Sequence, residues 1–380
     1  MYKPVILLGA GARDNKKIIE HIKSLGVPIL LTWQAMDLLT EDSSVFCGRP
    51  GIIGQRAANI IMQKADTLIT LGARLDKETI GYSGDDNLAP DGIKVVYDID
   101  KGELDKLPSG KKWIKKQYDL SEDMPNIEIK KVDKKWLSWC KDLHNEYQTV
   151  LLDYYRDEDY VNPFVFIDWL GQVSCDDDLF ALGASGQAPC TFLQAYKVKG
   201  SQEVRGLSTF GAMGADIPNA IGASIASGKR TICITGDGGF MLNMQELEVV
   251  ARENLPIKYF VYANKGYNTI KQSQLKRFGR VTSADPESGF TIPNLSSVAA
   301  CFGIGYEHIR DNEKLLSLRR PSYYTPDPMI YELNVNPAFV QYPRVDSTMD
   351  ADGVFHPDPL EDMTPKLDRD VLKELMEYGK

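Results

Sequence analysis

Apolar residues along this chain fall mostly into short runs closed by glycine or acidic turns, and the runs alternate with stretches of helical spacing. Pro-Val-Ile-Leu-Leu at 4–8 is a buried-type strand ending in Gly9-Ala-Gly11-Ala-Arg13. A helix over 16–25 follows, then a strand at 28–31, a helix over 55–64, and strands at 67–71 and 94–98. Apolar strands alternating with helices indicate a parallel, doubly wound sheet. The pattern lapses over 107–159, which is polar, charged and aromatic (Trp113, Trp136, Trp139, Tyr147, Tyr154, Tyr155) and reads as a linker turning helical near 134–155. Asn162-Pro163 then supplies an N-cap and a first-turn proline for a helix over 164–172. A second doubly wound region runs to about 336. The tail is rich in proline and acid, with a short amphipathic helix over 367–378. The fold class is therefore α/β, with two doubly wound parallel-sheet domains at 1–125 and 161–340, a linker and connecting helix at 126–160, and a C-terminal tail at 341–380.

The densest chemistry lies between 231 and 268. A β-branched run at 231–235 ends in Gly236-Asp237-Gly238-Gly239, a helix follows, and a second apolar run at 257–263 ends in Asn264-Lys265-Gly266. In an open parallel sheet both turns lie at the carboxyl ends of neighbouring strands, where such folds bind ligands. Asp237 and Asn264 would face each other with one anionic and one neutral oxygen, a donor set suited to Mg²⁺ or Ca²⁺ carrying phosphates. The glycines let backbone N–H groups approach a diphosphate, and the following helix points its N-terminus at the anion. Asn243 and Glu246 are spaced as a helix N-cap and its N3 partner. Asp176-Asp177-Asp178 reads as a solvated turn before the strand at 179 with no metal role.

These residues also resemble a known motif. Gly-Asp-Gly, then the 24 residues 239–262, then Ala-Asn is similar to the diphosphate and Mg²⁺ signature GDG…NN of thiamine diphosphate enzymes, with Ala263 at the first Asn and Asn264 at the second, which carries the ligand role. The segment 206–223, with Gly211-Ala-Met213-Gly, resembles the acetolactate synthase branch, and Leu-Gly-Ala-Ser-Gly-Gln at 182–187 resembles its Gly-Gln diphosphate turn. Residues 4–108 resemble the Rossmann-like central domain of those enzymes through Leu-Gly-Ala-Gly-Ala-Arg, Gly-Gln-Arg-Ala-Ala-Asn and Leu-Gly-Ala-Arg-Leu-Asp. Within the family, the resemblance is nearest to the acetolactate-synthase-like proteins of polysaccharide gene clusters.

The resemblance implies a thiamine diphosphate-binding fold at 161–340 and a thiamine diphosphate-dependent transferase or lyase acting on a 2-keto acid as carboligase or decarboxylase. Asp237, Asn264 and the Gly266 carbonyl would hold Mg²⁺. Gly186, Gln187, Gly211, Gly236, Gly238, Gly239, Gly266 and Tyr267 would bind the cofactor, and Met213 would wedge between its two rings. The alternative for Met213 is a gap-filling core methionine. A glutamate on a pyrimidine-binding domain preceding the central domain activates the cofactor in this family, so no catalytic residue is expected among these 380 residues. A pyrimidine domain is expected in cis or in trans, in a homo-oligomer; the chain would be a fragment or a split subunit, or else a non-catalytic descendant. Ser273, Ala188 and Gly239 depart from the family's substrate and diphosphate positions and argue against the pyruvate-plus-pyruvate reaction. Lys271, Gln272, Gln274 and Lys276 could bind a carboxylate or phosphate, or be exposed loop residues. FAD, held by the matching domain of acetolactate synthases, has no clear contacts here.

Composition narrows this further. Hydrophobic residues make up 43% and charged residues 26%, with a net charge of −9, which argues against a nucleic-acid partner. Lysine runs at 111–116 and 130–135 solvate the linker. Six scattered cysteines and four scattered histidines offer no zinc spacing or disulfide framework. With no apolar run near 20 residues, no membrane span is expected and the protein reads as cytoplasmic. The Gly9/Gly11 turn leaves an NAD-dependent oxidoreductase as an alternative, although Asp14 stands where a third glycine belongs and the second strand lacks its terminal acid.

Overall fold

The computed structural model of the protein describes every residue except 122–124, 128, 130–131, 184–185, 207–210, 319–322 and 380, together with all side chains but that of residue 86 in the described elements. The chain divides into two compact units, Met1–Thr149 with Tyr342–Lys380, and Val150–Gln341. No described helix is long and apolar enough to cross a membrane.

The first unit holds a five-stranded parallel sheet of β1 (Pro4–Leu8), β2 (Ile29–Leu31), β3 (Thr67–Leu71), β4 (Ile93–Asp98) and β5 (Trp113–Gln117), in the order β2-β1-β3-β4-β5. Both faces of β1 are buried: Val5 and Leu7 join one apolar cluster, Ile6 and Leu8 the other, as the period-two alternation of a strand covered on both sides requires. β5 corrects the linker reading. Its Trp-Ile-Lys-Lys-Gln sequence lacks an apolar run because it is an edge strand with most of its residues in water, and its backbone pairs with β4 from Lys94↔Trp113 to Asp98↔Gln117. The helix Lys134–Glu146 is capped by Asp133 and ends well before 155; a 3₁₀ segment, Leu152–Arg156, follows in the other unit.

The Gly9 turn is explained by packing. Gly9 N–H donates to Leu71 O and Gly11 N–H to Gly72 O, and a Cβ on Gly9 would lie 2.1 Å from the Gly72 carbonyl oxygen. Two turns meet backbone to backbone, and the N–H groups that a dinucleotide phosphate would need already have partners. Arg56 and Asn59, within Gly-Gln-Arg-Ala-Ala-Asn, hold the returning C-terminal segment: Arg56 donates to Met363 O and Pro365 O, and Asn59 to Leu360 O. Tyr378 stacks on Trp139 with ring centroids 4.5 Å apart.

The second unit holds a six-stranded parallel sheet of β6 (Leu179–Leu182), β7 (Glu203–Arg205), β8 (Thr231–Gly236), β9 (Ile257–Ala263), β10 (Gly305–Ile309) and β11 (Met329–Asn334), in the order β10-β11-β9-β8-β6-β7. β9 shows why both faces are dry. Ile257, Tyr259 and Val261 pack with Ile217, Phe240 and Leu247 on one side, whereas Phe260 and Tyr262 meet Phe166 on the other. Phe166 lies on the helix Pro163–Val173, whose N-cap Asn162 accepts from Phe164 N–H. Asp178 corrects the solvated-turn reading. It is 3% exposed and its carboxylate pairs with Arg230 at 2.5 Å while accepting from Cys175 N–H.

Candidate functional site

β8 and β9 run side by side in register, with Gly236 opposite Tyr262, so the turns that follow them emerge together. Asp237 starts the first turn and its carboxylate reaches into the second. Its Oδ2 accepts from Lys265 N–H at 2.7 Å, and its Oδ1 accepts from Gly238 N–H at 2.7 Å and Gly266 N–H at 3.3 Å. The consecutive N–H groups of 265 and 266 can converge because both residues have positive φ, 66° and 140°. A Cβ on Gly266 would also strike Ala284 O at 2.2 Å, so only glycine fits there. At 2% exposure, the Asp237 carboxyl is pushed up to about 7 by loss of solvent, against the downward pull of the surrounding backbone N–H groups.

Asn264 is the second polar group of the site. Its Nδ2 leans toward Gln187 Oε1 at 3.4 Å, and its buried Oδ1 has no hydrogen-bond partner among the described residues. A buried amide oxygen normally finds a donor or a cation. An orphaned oxygen beside a buried carboxylate is the donor chemistry of a hard divalent cation, so these residues fit Mg²⁺.

A cleft of about 260 Å³ opens over these turns. Of the expected cofactor and metal residues, Gly186, Gln187, Gly211, Met213, Gly236, Gly238, Gly239, Asn264, Gly266 and Tyr267 all border it, and Asp237 is bound to the backbone of two of them, Gly238 and Gly266. Met213 is 41% exposed, which is incompatible with a gap-filling core methionine and leaves its side chain free to meet a ligand. Gly238 owes its lack of a side chain to Tyr267, whose ring would lie 2.5 Å from an added Cβ. The Gln187 side chain is held within the fold: its Nε2 donates to Phe339 O at 2.8 Å, and its Oε1 accepts from Asn268 at 3.0 Å. Ala184, Ser185 and 207–210 of the two glycine-rich segments lie outside the described residues.

The segment after Asp237 corrects the single-helix reading. It is broken into Asp237–Phe240, Met241–Glu246 and Leu247–Arg252, with Asn243 at φ −134° and ψ 31°. Asn243 forms no capping box with Glu246. Its Nδ2 donates instead to Gly214 O at 2.8 Å, tying this segment to the Met213 turn. Lys271, Gln272, Gln274 and Lys276 sit on the helix Asn268–Phe278, not on a loop. Lys271 pairs with Asp285 at 2.8 Å, Gln272 donates to Phe339 O, and Gln274 brackets Thr282. These three are engaged within the fold.

Sequence reasoning missed Asn268, Phe339 and Asp216. Asn268 and Phe339 complete the amide network around Gln187. Asp216 borders the cleft and accepts from Thr235 Oγ1 at 2.5 Å.

Comparison with known proteins decides the family. Residues 184–320 match the thiamine pyrophosphate enzyme C-terminal TPP binding domain, and residues 2–114 match the thiamine pyrophosphate enzyme central domain. The chain belongs to the thiamine pyrophosphate enzymes. Among curated relatives, it is 27% identical over 356 residues to the acetolactate synthase large subunit of Porphyra purpurea, covering 90% of this chain and 58% of that protein. It is 27% identical over 321 residues to the acetolactate synthase isozyme 2 large subunit of Escherichia coli K12, covering 82% of this chain and 56% of that protein. The chain thus spans a little over half the length of these relatives. Both matched regions have the parallel α/β sheets described above, and the C-terminal match contains the cleft.

Proposed function

We propose that the cleft at the carboxyl ends of β8 and β9 binds thiamine diphosphate through a Mg²⁺ ion held by Asp237, Asn264 and the Gly266 carbonyl, and that the chain is the cofactor-binding part of an acetolactate synthase-like carboligase or decarboxylase of 2-keto acids. The observation that carries this reading is the pairing of a buried carboxylate with the orphaned Asn264 Oδ1 at the edge of one cleft. The cofactor, held there, would supply a carbon nucleophile and an electron sink for 2-keto acid chemistry.

The chain's own residues divide the remaining work. Asp237 is oriented by three backbone N–H groups before any ligand arrives, so no rearrangement is required of it. Met213, half-exposed beside the cleft, would contact the cofactor, and Asn243 steadies its turn through Gly214. Ser273 stands where the resemblance expects an acceptor-shaping tryptophan, and Ala188 where it expects a histidine, which favours another 2-keto acid. The activating carboxylate is assigned to a pyrimidine-binding domain, in the same polypeptide or another. The occupied N–H groups of Gly9 and Gly11 weigh against an NAD-dependent oxidoreductase.

The test is consumption of 2-keto acids by the chain with thiamine diphosphate, Mg²⁺ and a pyrimidine-binding domain supplied in cis or in trans. Turnover abolished by Asp237→Ala supports the reading. Turnover indifferent to that substitution or to the cofactor overturns it.

A further inference from the structure

Asp216 has a position that the proposed metal–diphosphate clamp of Asp237, Asn264 and Gly266 does not explain. It begins the helix Asp216–Ser227, is 5% exposed and borders the cleft. Two glycines make room for its carboxyl group: a Cβ on Gly183 would lie 1.7 Å from its Oδ1, and a Cβ on Gly239 would lie 2.7 Å from its Oδ2. Thr235 Oγ1 donates to Oδ2 at 2.5 Å. Gly239 belongs to the turn assigned above to the diphosphate, and on that assignment this carboxyl group stands at the phosphate end of the cleft. None of the described residues bordering the cleft is basic. One Mg²⁺ there must already offset Asp237, and a second ionised carboxylate beside a diphosphate meets like charge at low dielectric.

We propose that Asp216 is a second acidic wall of the diphosphate site, compatible with the bound anion only in its neutral form, so that ligand binding by this chain requires a proton on Asp216. The inference rests on the diphosphate-binding reading above.

Other ionisable groups on the elements packed around Asp216 do not supply the same effect. The Cys233 thiol of β8 is held protonated by burial and by Asp216 itself, and burial raises Tyr259 and Tyr262 of β9. Glu248 and Arg252, on the segment Leu247–Arg252, pair with each other at the surface. Asp237, on the neighbouring turn, acts with the opposite sign, because a cation binds its ionised form. The Asp216 carboxyl itself is raised to about 6 by burial, with Thr235 pulling the other way.

The experiment is calorimetric titration of Mg²⁺–pyrophosphate and, separately, Mg²⁺–thiamine diphosphate into the full chain and into Asp216→Asn, at pH 6, 7 and 8. The proposal predicts that wild-type affinity falls relative to the variant by about tenfold per pH unit above 6, the slope of one linked proton. Comparison with Asn cancels the titration of the ligand and of Asp237. Should Asp216→Asn fail to fold, as its thermal melt would reveal, Asp216→Ser, smaller and uncharged, takes its place as the reference. A wild type whose affinity keeps a constant ratio to that of the uncharged variant at every pH overturns the proposal. A pH-dependent gap with pyrophosphate but no thiamine diphosphate binding, even with a pyrimidine-binding domain supplied, would sink the cofactor reading and leave Asp216 standing.

Discussion

Asp237→Asn should stabilise the metal-free protein at alkaline pH. The substitution keeps the shape of the side chain and removes its charge. Burial raises the native carboxyl from 3.8 to about 7, so between those values the folded protein holds a proton that the unfolded chain has lost. Stability therefore declines as pH rises through this window, and the full penalty is present above the native pKa. At about 1.4 kcal/mol per pH unit, the gap corresponds to about 4 kcal/mol. Asn recovers this term but turns an amide N–H toward Lys265 N–H, where Oδ2 had accepted at 2.7 Å, at a cost of about 1–3 kcal/mol. The net expectation is a variant more stable than wild type by about 1–3 kcal/mol at pH 8, with no such advantage at pH 5. Urea denaturation in EDTA at both pH values measures the difference, and Asp216 cancels because both proteins carry it. Added Mg²⁺ should stabilise the wild type alone, since binding to the native state raises its stability. A variant less stable than wild type at pH 8 would refute the reasoning, because the backbone hydrogen bonds would then outweigh desolvation.

Four further outcomes are expected. Met213→Ala should cost under about 1 kcal/mol in thermal stability, because a core methionine would cost about 2–5, yet weaken cofactor binding measured by fluorescence titration. Gly238→Ala should lower the melting temperature and cofactor affinity together, since its Cβ meets the Tyr267 ring at 2.5 Å; overpacking of this kind costs about 1–3 kcal/mol. Gly9→Ala should destabilise the first unit by at least that much through its 2.1 Å approach to Gly72 O, and NADH fluorescence should show no binding by the parent protein. Asn264→Ala should leave folding intact and raise the Mg²⁺ concentration needed for cofactor binding at least tenfold, read by calorimetry, since it deletes the orphaned oxygen.

The interior strands were legible because both faces of β1, β3, β8 and β9 are buried, which writes a continuous apolar run into the sequence. Edge strands were not. β5 carries lysines into water, and β10 keeps only Ile309 buried, so neither shows a run or a clean alternation. The metal turn was legible for a different reason: Asp237, Asn264 and Gly266 each follow a strong strand signal and share a spacing that the sheet register converts into proximity. Asp216 reads locally as an ordinary first-turn carboxylate favoured by the helix dipole. Its place against Gly183, Thr235 and Gly239 depends on two crossovers, β6 to β7 and β7 to β8. Asn243 was misread because its spacing from Glu246 suits a capping box, whereas the chain kinks there to reach Gly214 O.

The most direct test of the central claim is calorimetric titration of thiamine diphosphate into the full chain, first with Mg²⁺ and then with EDTA, repeated on Asp237→Ala. The clamp predicts one cofactor per chain in Mg²⁺, and none in EDTA or in the variant. Binding that survives both EDTA and loss of Asp237, or a folded chain that binds no cofactor in Mg²⁺ with a pyrimidine-binding domain present, would contradict it.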